Sequence, residues 1–311
     1  MASWQARLAV QIVKWRVKRK LRGVRDYRVA RKILRPDPYT IPPGVRVSPA
    51  KVGGVPGEWV EAFSEAQPDA KANAKPVLLY LHGGGYFACS AESHRPITVA
   101  FAREGFRVLA PDYRLAPENP FPAAVDDAFA SYRGLLGEGY TPDRIVAAGD
   151  SAGGGLTMSL LLALRAAGLP LPAGAVLFSP WTDLAATGES IRTNADRCAM
   201  FHGPDIAASA RYYIGETDPR NPLASSIYAD LTGLPPLLFH VGADEVLLDD
   251  STRLAERARA AGVKVEIKIW PVVPHAWQLA PHKIPEARQS LRESATFLRG
   301  LVPQDAPVSV A

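Results

Sequence analysis

"RIVAAGDSAGGG", residues 144–155, joins a short apolar run to a cluster of small residues. The apolar run at 144–150 is typical of a buried strand, and residues 152–167 predict a helix. The glycines and alanines between them allow a sharp strand-to-helix turn that exposes the side chain of Ser151. The Gly-x-Ser-x-Gly pentapeptide is a weak signal by itself. Its position between a strand and a helix favours a nucleophile held above the helix N-terminus.

Similar apolar or β-branched runs recur along the chain. They occupy residues 76–82, 106–113, 144–150, 173–180, 235–242 and 263–270. Most lack strict alternation, as expected of strands that are buried on both faces of a parallel sheet. Between the runs lie predicted helices at 95–104, 122–136, 152–167, 248–261 and 285–299. This alternation predicts an α/β fold with a mostly parallel central sheet and helices on both faces.

Two segments depart from the alternation. Residues 36–57 contain six prolines, which predicts a connector with short extended pieces. The long interval before residue 235 lacks a convincing core strand, so we predict an inserted helical subdomain there. The expected organisation is an N-terminal cap segment and linker (1–50), a core (51–182 and 221–303), a cap insertion (183–220) and a tail (304–311).

The charge is unevenly distributed. Residues 1–35 contain twelve Lys or Arg and one acid, Asp26, a balance of +11, whereas the whole chain carries +5. The rest of the chain is therefore acidic by six charges, and nucleic-acid binding by the main domain has no support. Cys89 and Cys198 form no disulfide framework, so we expect a reducing, cytoplasmic setting.

The basic segment also has a helical apolar stripe. Its members, at three- and four-residue spacing, are Trp4, Leu8, Ile12 and Trp15. We expect this helix to pack its stripe against the 183–220 insertion. Association of residues 1–35 with a membrane surface is the less favoured alternative. We expect neither a secretory signal nor a membrane-spanning segment, because basic residues interrupt the N-terminus and no long apolar run occurs.

A catalytic serine needs a base, and the base needs a group that orients it. The segment "ADEVLLDD" (243–250) follows one predicted strand, and "PVVPHAWQ" (271–278), with His275, follows another. A serine, an acid and a histidine thus appear in the order of a nucleophile-elbow sheet, each just after a strand. This order predicts a Ser-acid-His triad with His275 as the base.

The other histidines are weaker candidates. His82 and His240 are expected to be structural or core residues, His94 and His202 lack a matching carboxylate context, and His282 is a distant second choice for the base. The histidine spacing matches no metal-ligand motif, and neither glycine cluster fits a P-loop or a dinucleotide fingerprint. We therefore expect neither a metal nor a cofactor.

Five separated motifs resemble those of the bacterial hormone-sensitive-lipase family of α/β-hydrolase esterases. They are "HGGGY" (82–86), "DYRLAPE" (112–118), "GDSAGG" (149–154), "DEVLLDD" (244–250) and "PHAW" (274–277). The likeness covers roughly residues 55–303. It implies the α/β-hydrolase fold, with a helical cap over Ser151 built from the N-terminal segment and residues 183–220.

The resemblance also implies the triad acid. The family pattern is Asp-x-Leu-x-Asp with the first residue catalytic, and Glu245, Leu247 and Asp249 match its spacing. Glutamate therefore stands where the family has aspartate. We predict Glu245 as the acid, with Asp244 as the alternative.

The glycine loop and the nearby aromatic residues complete the predicted site. The backbone N–H groups of Gly83, Gly84 and Ala152 are expected to form an oxyanion hole, because glycine lets an acyl carbonyl approach the main chain. The predicted walls of the substrate pocket are Tyr86, Phe87, Trp181, Met200, Phe201 and Tyr212. "DYRLAPE" is expected to form an ion-pair and turn network beside the glycine loop.

These features predict a serine carboxylesterase that acts on a small-molecule ester. The resemblance implies acyl chains of roughly two to eight carbons, and the finite size of a capped pocket agrees with this range. A lactone hydrolase, for example for terpene lactones, is the alternative. A non-catalytic ligand-binding protein or a membrane-surface protein is less favoured, and a homodimer is left open.

Overall fold

Eight strands form one sheet in the computed structural model, which describes residues 2–63 and 75–303. In chain order, strands β1 to β8 are Val45–Val52, Val55–Ala62, Val77–Leu81, Arg107–Pro111, Ile145–Asp150, Ala175–Phe178, Leu237–Gly242 and Val265–Trp270. Strands β3 to β8 are the six predicted strands. The predicted tail, 304–311, lies outside the described residues.

The α-helices of the described residues alternate with the strands after β3. In chain order, α1 to α10 are Trp4–Val13, Arg19–Leu21, Tyr27–Leu34, Arg95–Arg103, Ala123–Gly137, Ala152–Ala166, Ser190–Thr193, Gly203–Ile214, Leu248–Ala260 and Pro285–Arg299. A π-helical turn, Lys14–Lys18, connects α1 to α2. The five helices predicted from periodicity are α4, α5, α6, α9 and α10.

The sheet order is β1-β2-β4-β3-β5-β6-β7-β8. Strand β1 pairs antiparallel with β2, and β2 with β4. All neighbours from β4 to β8 run parallel. The carboxyl ends of β3 to β8 therefore meet at one edge, where open α/β sheets bind ligands. The predicted mostly parallel α/β sheet is confirmed.

The two faces of the sheet bury separate cores. Leu79 and Leu81 of β3 pack with residues of α5 and α6. Leu78 and Tyr80, one position along, pack with residues of α4 and α10. Alternate side chains of a strand point to opposite faces, so a strand with helices on both sides must be apolar throughout. All five residues of β3 are buried.

Strands β1 and β2 lie where the sequence predicted a connector. Each contains a proline, Pro49 in β1 and Pro56 in β2. Proline lacks an N–H donor but is tolerated at the edge of a sheet, and β1 is the edge strand. The predicted boundary between residues 50 and 51 falls inside β1, so the sheet begins at Val45.

Helix α1 packs with a different face from the one predicted. Its fully buried residue is Ala6, which lies in a cluster with Trp270 and Trp277. Trp4 and Trp15 are 70% and 65% exposed, and Leu8 and Ile12 are exposed as well. The expectation that the stripe packs against the insertion is wrong, because the small side chains of α1 make the close approach to the bulky rings.

A later part of the N-terminal segment contacts the insertion. The Lys18 Nζ donates to the carbonyl oxygens of Ala195 and Cys198 at 2.5 and 2.8 Å. The Tyr212 hydroxyl donates to the Arg25 carbonyl at 2.6 Å. Residues 18–25 are thus the part of the N-terminal segment that binds the insertion, which contains α7 and α8.

None of the helices within residues 2–63 and 75–303 has both the length and the apolar character needed to cross a membrane.

Candidate active site

Ser151 lies at a sharp turn between β5 and α6. Its φ of 54° and ψ of −122° are sparsely populated for a non-glycine residue, and such strain typically costs about 1–3 kcal/mol. The flanking glycines are sterically required: a Cβ on Gly149 would lie 2.3 Å from the Gly153 carbonyl oxygen, and one on Gly153 would lie 2.0 Å from that of Leu81. The strand-to-helix turn expected from the sequence is present.

His275 follows β8 and is held by Glu245, which follows β7. The Nδ1 of His275 is hydrogen-bonded to Glu245 Oε2, and both side chains are buried. The second carboxylate oxygen, Oε1, accepts from Ser179 Oγ at 2.6 Å and from the Gly242 N–H at 2.7 Å. The Nε2 of His275 is buried and has no hydrogen-bond partner in the described part of the chain. With Nδ1 bound to the carboxylate, Nε2 is left to accept a proton.

Asp244, the alternative acid, lies apart from His275. Its side chain is 39% exposed, and one carboxylate oxygen lies 3.4 Å from Arg197 Nε. The geometry therefore pairs His275 with Glu245.

Ser151 and His275 line one cavity of about 100 Å³. Four predicted pocket residues line it as well: Phe87, Trp181, Met200 and Phe201. Residues not assigned to the pocket from sequence complete the wall: Leu34, Pro36, Gly84, Gly85, Cys89, His94, Asp150, Ile206, Ser209, Leu247, Ala276 and Leu279. The N-terminal segment, the insertion and the core all contribute to it.

Tyr86 and Tyr212 are predicted pocket residues that do not line this cavity. Tyr86 is buried and stacks on Tyr213, with ring centroids 3.7 Å apart. Tyr212 packs edge-on against Phe87 at 5.2 Å and bonds to the N-terminal segment. Both residues support the wall from behind, so their assignment to the substrate surface is wrong.

The glycine loop differs from the prediction at Gly83. Its N–H donates to Asp150 Oδ1 at 3.0 Å, and Gly83 does not line the cavity. Gly84 and Gly85, with φ of 115° and 64°, do line it. Among the described residues, the N–H groups of Gly84, Gly85 and Ala152 have no acceptor. The available donors are therefore displaced by one residue along the loop.

The carboxylate of Asp150 holds the glycine loop in place. It also accepts from the Tyr80 hydroxyl at 2.6 Å and lies 3.2 Å from His94 Nε2. Burial would raise the pKa of Asp150, but His94 and the hydrogen bonds outweigh it and hold that pKa at about 2. Asp150 is thus a buried anion that binds the glycine loop.

Known proteins share this architecture. A family model described as the alpha/beta hydrolase fold matches residues 78–279. An acetyl-hydrolase of Streptomyces hygroscopicus is 46% identical over 260 residues, 83% of this chain and 83% of that protein. The solved structure of an esterase from the bacterial hormone-sensitive lipase family is 42% identical, with a TM-score of 0.88 over 97% of this chain and 100% of that chain. EstE5 is 38% identical, with a TM-score of 0.89 over 96% and 99%.

The chain belongs to the bacterial hormone-sensitive-lipase family of α/β hydrolases. It is a carboxylic ester hydrolase, as are the relatives named esterase or acetyl-hydrolase. The resemblance stated from five sequence motifs is confirmed.

Two histidines of this esterase that were expected to lack a carboxylate context each have a carboxylate neighbour. His94 lies beside Asp150, 56 residues further along the chain. His202 Nδ1 lies 3.5 Å from Asp205 Oδ2. The expectation that neither has a carboxylate context is wrong. The sequence offers no signal for the His94 contact, because the fold alone brings the residue before α4 to the end of β5.

The remaining histidines of the esterase lie outside the cavity. His82 Nδ1 is hydrogen-bonded to the Gly83 carbonyl, its ring stacks on Tyr113, and burial lowers its pKa to about 3. Burial also lowers the pKa of His240, to about 4, and its Nδ1 is hydrogen-bonded to Ser290 Oγ. His282 packs near Tyr39. His82 and His240 have the structural roles expected from the sequence.

The "DYRLAPE" segment forms contacts around the glycine loop. Asp112 accepts from the Ala91 N–H at 2.7 Å, and the Tyr113 hydroxyl donates to the His82 carbonyl at 2.7 Å. Arg114 forms an ion pair with Asp127 on α5 at 2.8 Å. The segment has the turn and ion-pair contacts that were expected, although the Arg114 side chain is half exposed.

Proposed function

We propose that this chain is a serine carboxylesterase that hydrolyses short acyl esters through Ser151, His275 and Glu245. The observation that carries the proposal is that Ser151 lines one cavity together with His275, whose Nδ1 is bound to Glu245 and whose Nε2 has no partner among the described residues. A histidine that is oriented by a carboxylate and has a free Nε2 is suited to general-base catalysis.

In the first half-reaction, Ser151 Oγ attacks the ester carbonyl carbon while His275 Nε2 accepts its proton. Glu245 holds the ring through Nδ1 and stabilises the imidazolium. The tetrahedral intermediate then collapses, the bond to the leaving oxygen breaks, and His275 returns the proton to the departing alcohol. Ser151 is left acylated.

In the second half-reaction, a water molecule replaces the alcohol. His275 accepts a proton from this water as it attacks the acyl carbon, and the second intermediate expels Ser151 with that proton. The products are the carboxylic acid and the free enzyme.

We assign the oxyanion donors to the N–H groups of Gly84, Gly85 and Ala152. These N–H groups have no acceptor among the described residues, which supports the assignment, and the bond from Gly83 to Asp150 argues against Gly83 as a donor. Ala152 is the first residue of α6, so its N–H adds the positive end of a helix dipole. One such donor typically contributes about 100- to 1,000-fold to the rate.

The substrate belongs at the short end of the predicted range. We place the acyl group in the cavity of about 100 Å³ that Ser151 lines, and not in the wider groove that also contacts His275; this cavity lies well below the roughly 300 Å³ at which pockets for larger ligands begin. The 46% identical relative is named an acetyl-hydrolase, and EstE5 was soaked with p-nitrophenyl butyrate. We therefore favour acetyl to butyryl esters, and acyclic esters over lactones.

We propose a cytoplasmic setting for the enzyme. Cys89 and Cys198 are both free thiols, which supports a reducing compartment.

Covalent labelling tests the assignment of the nucleophile. A p-nitrophenyl dialkyl phosphate should release one equivalent of p-nitrophenol and add one dialkylphosphoryl group to Ser151, which peptide mass spectrometry can locate. Ser151→Ala should remain unlabelled and lose about a million-fold in kcat, while unfolding at the wild-type temperature.

Two further variants complete the test. Ser209 lines the same cavity, and Ser209→Ala should still be labelled at Ser151. His275→Ala should label very slowly, whereas His282→Ala should label like the wild type. Labelling of another serine, or full activity of Ser151→Ala, would refute the proposal.

A further inference from the structure

Helix α1 and the π-helical turn after it carry an exposed apolar ridge that the proposed chemistry does not use. The ridge consists of Trp4, Leu8, Ile12 and Trp15. Seven large hydrophobic side chains are exposed within the described residues, and these four are all from this one helical segment. Single exposed hydrophobic residues need no explanation, but a contiguous exposed patch marks an interaction surface.

The ridge is held in place by contacts on the opposite side of the helix. Ser3 donates to Glu286 on α10 through its N–H at 2.6 Å and its hydroxyl at 2.8 Å. Ala6 is fully buried against the tryptophan cluster, and Lys18 binds three carbonyl oxygens of the insertion. The helix is therefore anchored near both ends, and this anchoring points the ridge outwards.

Unpaired cations surround the ridge. Arg7, Lys14, Arg16, Arg19, Lys20 and Arg22 form no ion pair with an acidic side chain of the described residues. Arg7 directly precedes Leu8 and Arg16 directly follows Trp15, so each arginine is turned by about 100° from its apolar neighbour and flanks the ridge. A basic helix with an apolar face and terminal tryptophans has the composition of an interfacial helix.

We propose that the ridge and its surrounding cations form a docking surface for an anionic phospholipid bilayer. The tryptophan and aliphatic side chains enter the headgroup boundary, while the arginines and lysines pair with lipid phosphates. Charge complementarity selects this occupant. A second copy of the chain would bring two strongly basic segments face to face, with mutual repulsion.

Docking on this surface would also orient the active site. A groove of about 790 Å³ runs between the N-terminal helical segment and residues 274–284, and all four ridge residues line it. Met200, His275, Ala276 and Leu279 line both this groove and the Ser151 cavity. A bilayer that contacts the ridge therefore lies at the mouth of a groove that shares four wall residues with the cavity. This inference goes beyond the proposed function, and binding does not depend on hydrolysis.

Vesicle co-sedimentation tests the proposal with the full chain. Wild type and Ser151→Ala should both bind vesicles of equimolar phosphatidylglycerol and phosphatidylcholine, and neither should bind pure phosphatidylcholine vesicles. Using the inactive variant separates docking from catalysis. Binding should weaken at least about tenfold between about 0.1 M and about 1 M salt, because the Debye length falls from ~10 to ~3 Å.

Matched variants locate the surface. Trp4→Gln/Trp15→Gln should weaken vesicle binding by more than about tenfold, whereas Phe63→Gln/Ile269→Gln, which removes two hydrophobic residues exposed elsewhere, should not. Arg7→Gln/Arg16→Gln should weaken it by more than about tenfold, since each basic residue near an anionic surface contributes roughly fivefold.

A charge-matched control and a folding control complete the test. Arg133→Gln/Arg192→Gln, which alters exposed arginines outside the segment, should bind like the wild type. Thermal unfolding should be unchanged in all variants. Absence of wild-type binding to the anionic vesicles, or wild-type binding by the tryptophan variant, would overturn the proposal. A dimer dissolved by Trp4→Gln/Trp15→Gln, without vesicle binding, would also overturn it and assign the ridge to a second copy.

Discussion

Replacing Glu245 by glutamine should disable His275 without disturbing the fold. The Gly242 N–H donates to Glu245 Oε1 at 2.7 Å. In a glutamine side chain, this N–H would need the carbonyl oxygen, so the amide nitrogen would face His275 Nδ1. Nδ1 would then have to accept a hydrogen bond, and the proton would move to Nε2. A protonated Nε2 cannot take the proton of Ser151.

The expected loss is large. In serine proteases with the same arrangement, the aspartate-to-asparagine change lowers kcat about 10⁴-fold because it fixes the wrong tautomer. A factor of 10⁴ corresponds to about 5.4 kcal/mol of transition-state stabilisation. Asp244→Asn removes only an exposed pairing with Arg197, and exposed ion pairs contribute about 0–1 kcal/mol. Its effect on turnover should stay below about fivefold.

The assay is kcat and KM on p-nitrophenyl acetate for both variants, with thermal unfolding as the folding control. Glu245→Gln should lose kcat with little change in KM, since the carboxylate contacts the histidine and not the substrate. Glu245→Asp should lie between wild type and Glu245→Gln, because the shorter chain cannot reach all three partners. If Asp244→Asn is the more damaging change, or if Glu245→Gln stays within about tenfold of wild type, the acid is misassigned.

The other predictions concern positioning, pH and chain length. Ser179→Ala removes a 2.6 Å hydrogen bond to Glu245 Oε1 and should lower kcat about tenfold, with KM retained; Ser159→Ala, which removes a buried serine bond within α6, should not. Burial raises the pKa of Asp250 from 3.8 to about 8, so the folded state binds more protons than the unfolded state between these values, and the free energy of unfolding falls as pH rises through that window. Asp250→Asn should abolish this fall in thermal unfolding scans. On a p-nitrophenyl ester series, kcat/KM should peak between acetate and butyrate; a maximum at octanoate or beyond would contradict the small cavity.

The sequence could predict features whose cause is local. The turn at Ser151 needs small residues within two positions, and the apolar character of β3 follows from helices on both faces of the sheet. The edge at which Ser151, Glu245 and His275 meet follows from parallel strand order, since each comes directly after a strand. These features depend on local sequence and on the direction of the strands, both of which the pattern contains.

Features that depend on a distant partner could not be predicted. Gly83 and Gly84 are equivalent in sequence, but only Gly83 lies against Asp150, which Tyr80 and His94 hold in place. Likewise, nothing in the segment 82–90 shows that Tyr86 stacks on Tyr213 while Phe87 reaches the cavity. A strand that contains a proline, such as β1, could not be predicted from its sequence, because a proline is tolerated in a strand that lies at the edge of the sheet, and the position of the strand is set by the fold.

The N-terminal helix shows why an apolar stripe does not determine which face is buried. A stripe on a helix indicates that burial of that face would be favourable, but burial also requires a surface of complementary shape. The neighbours of α1 are the large rings of Trp270 and Trp277, and a helix can approach them closely only through small residues such as Ala6. The Ser3–Glu286 hydrogen bonds fix the same orientation. The bulky stripe is thereby left exposed. An apolar surface bordered by cations is stabilised by a partner that combines negative charge with an apolar interior. An anionic bilayer provides this combination.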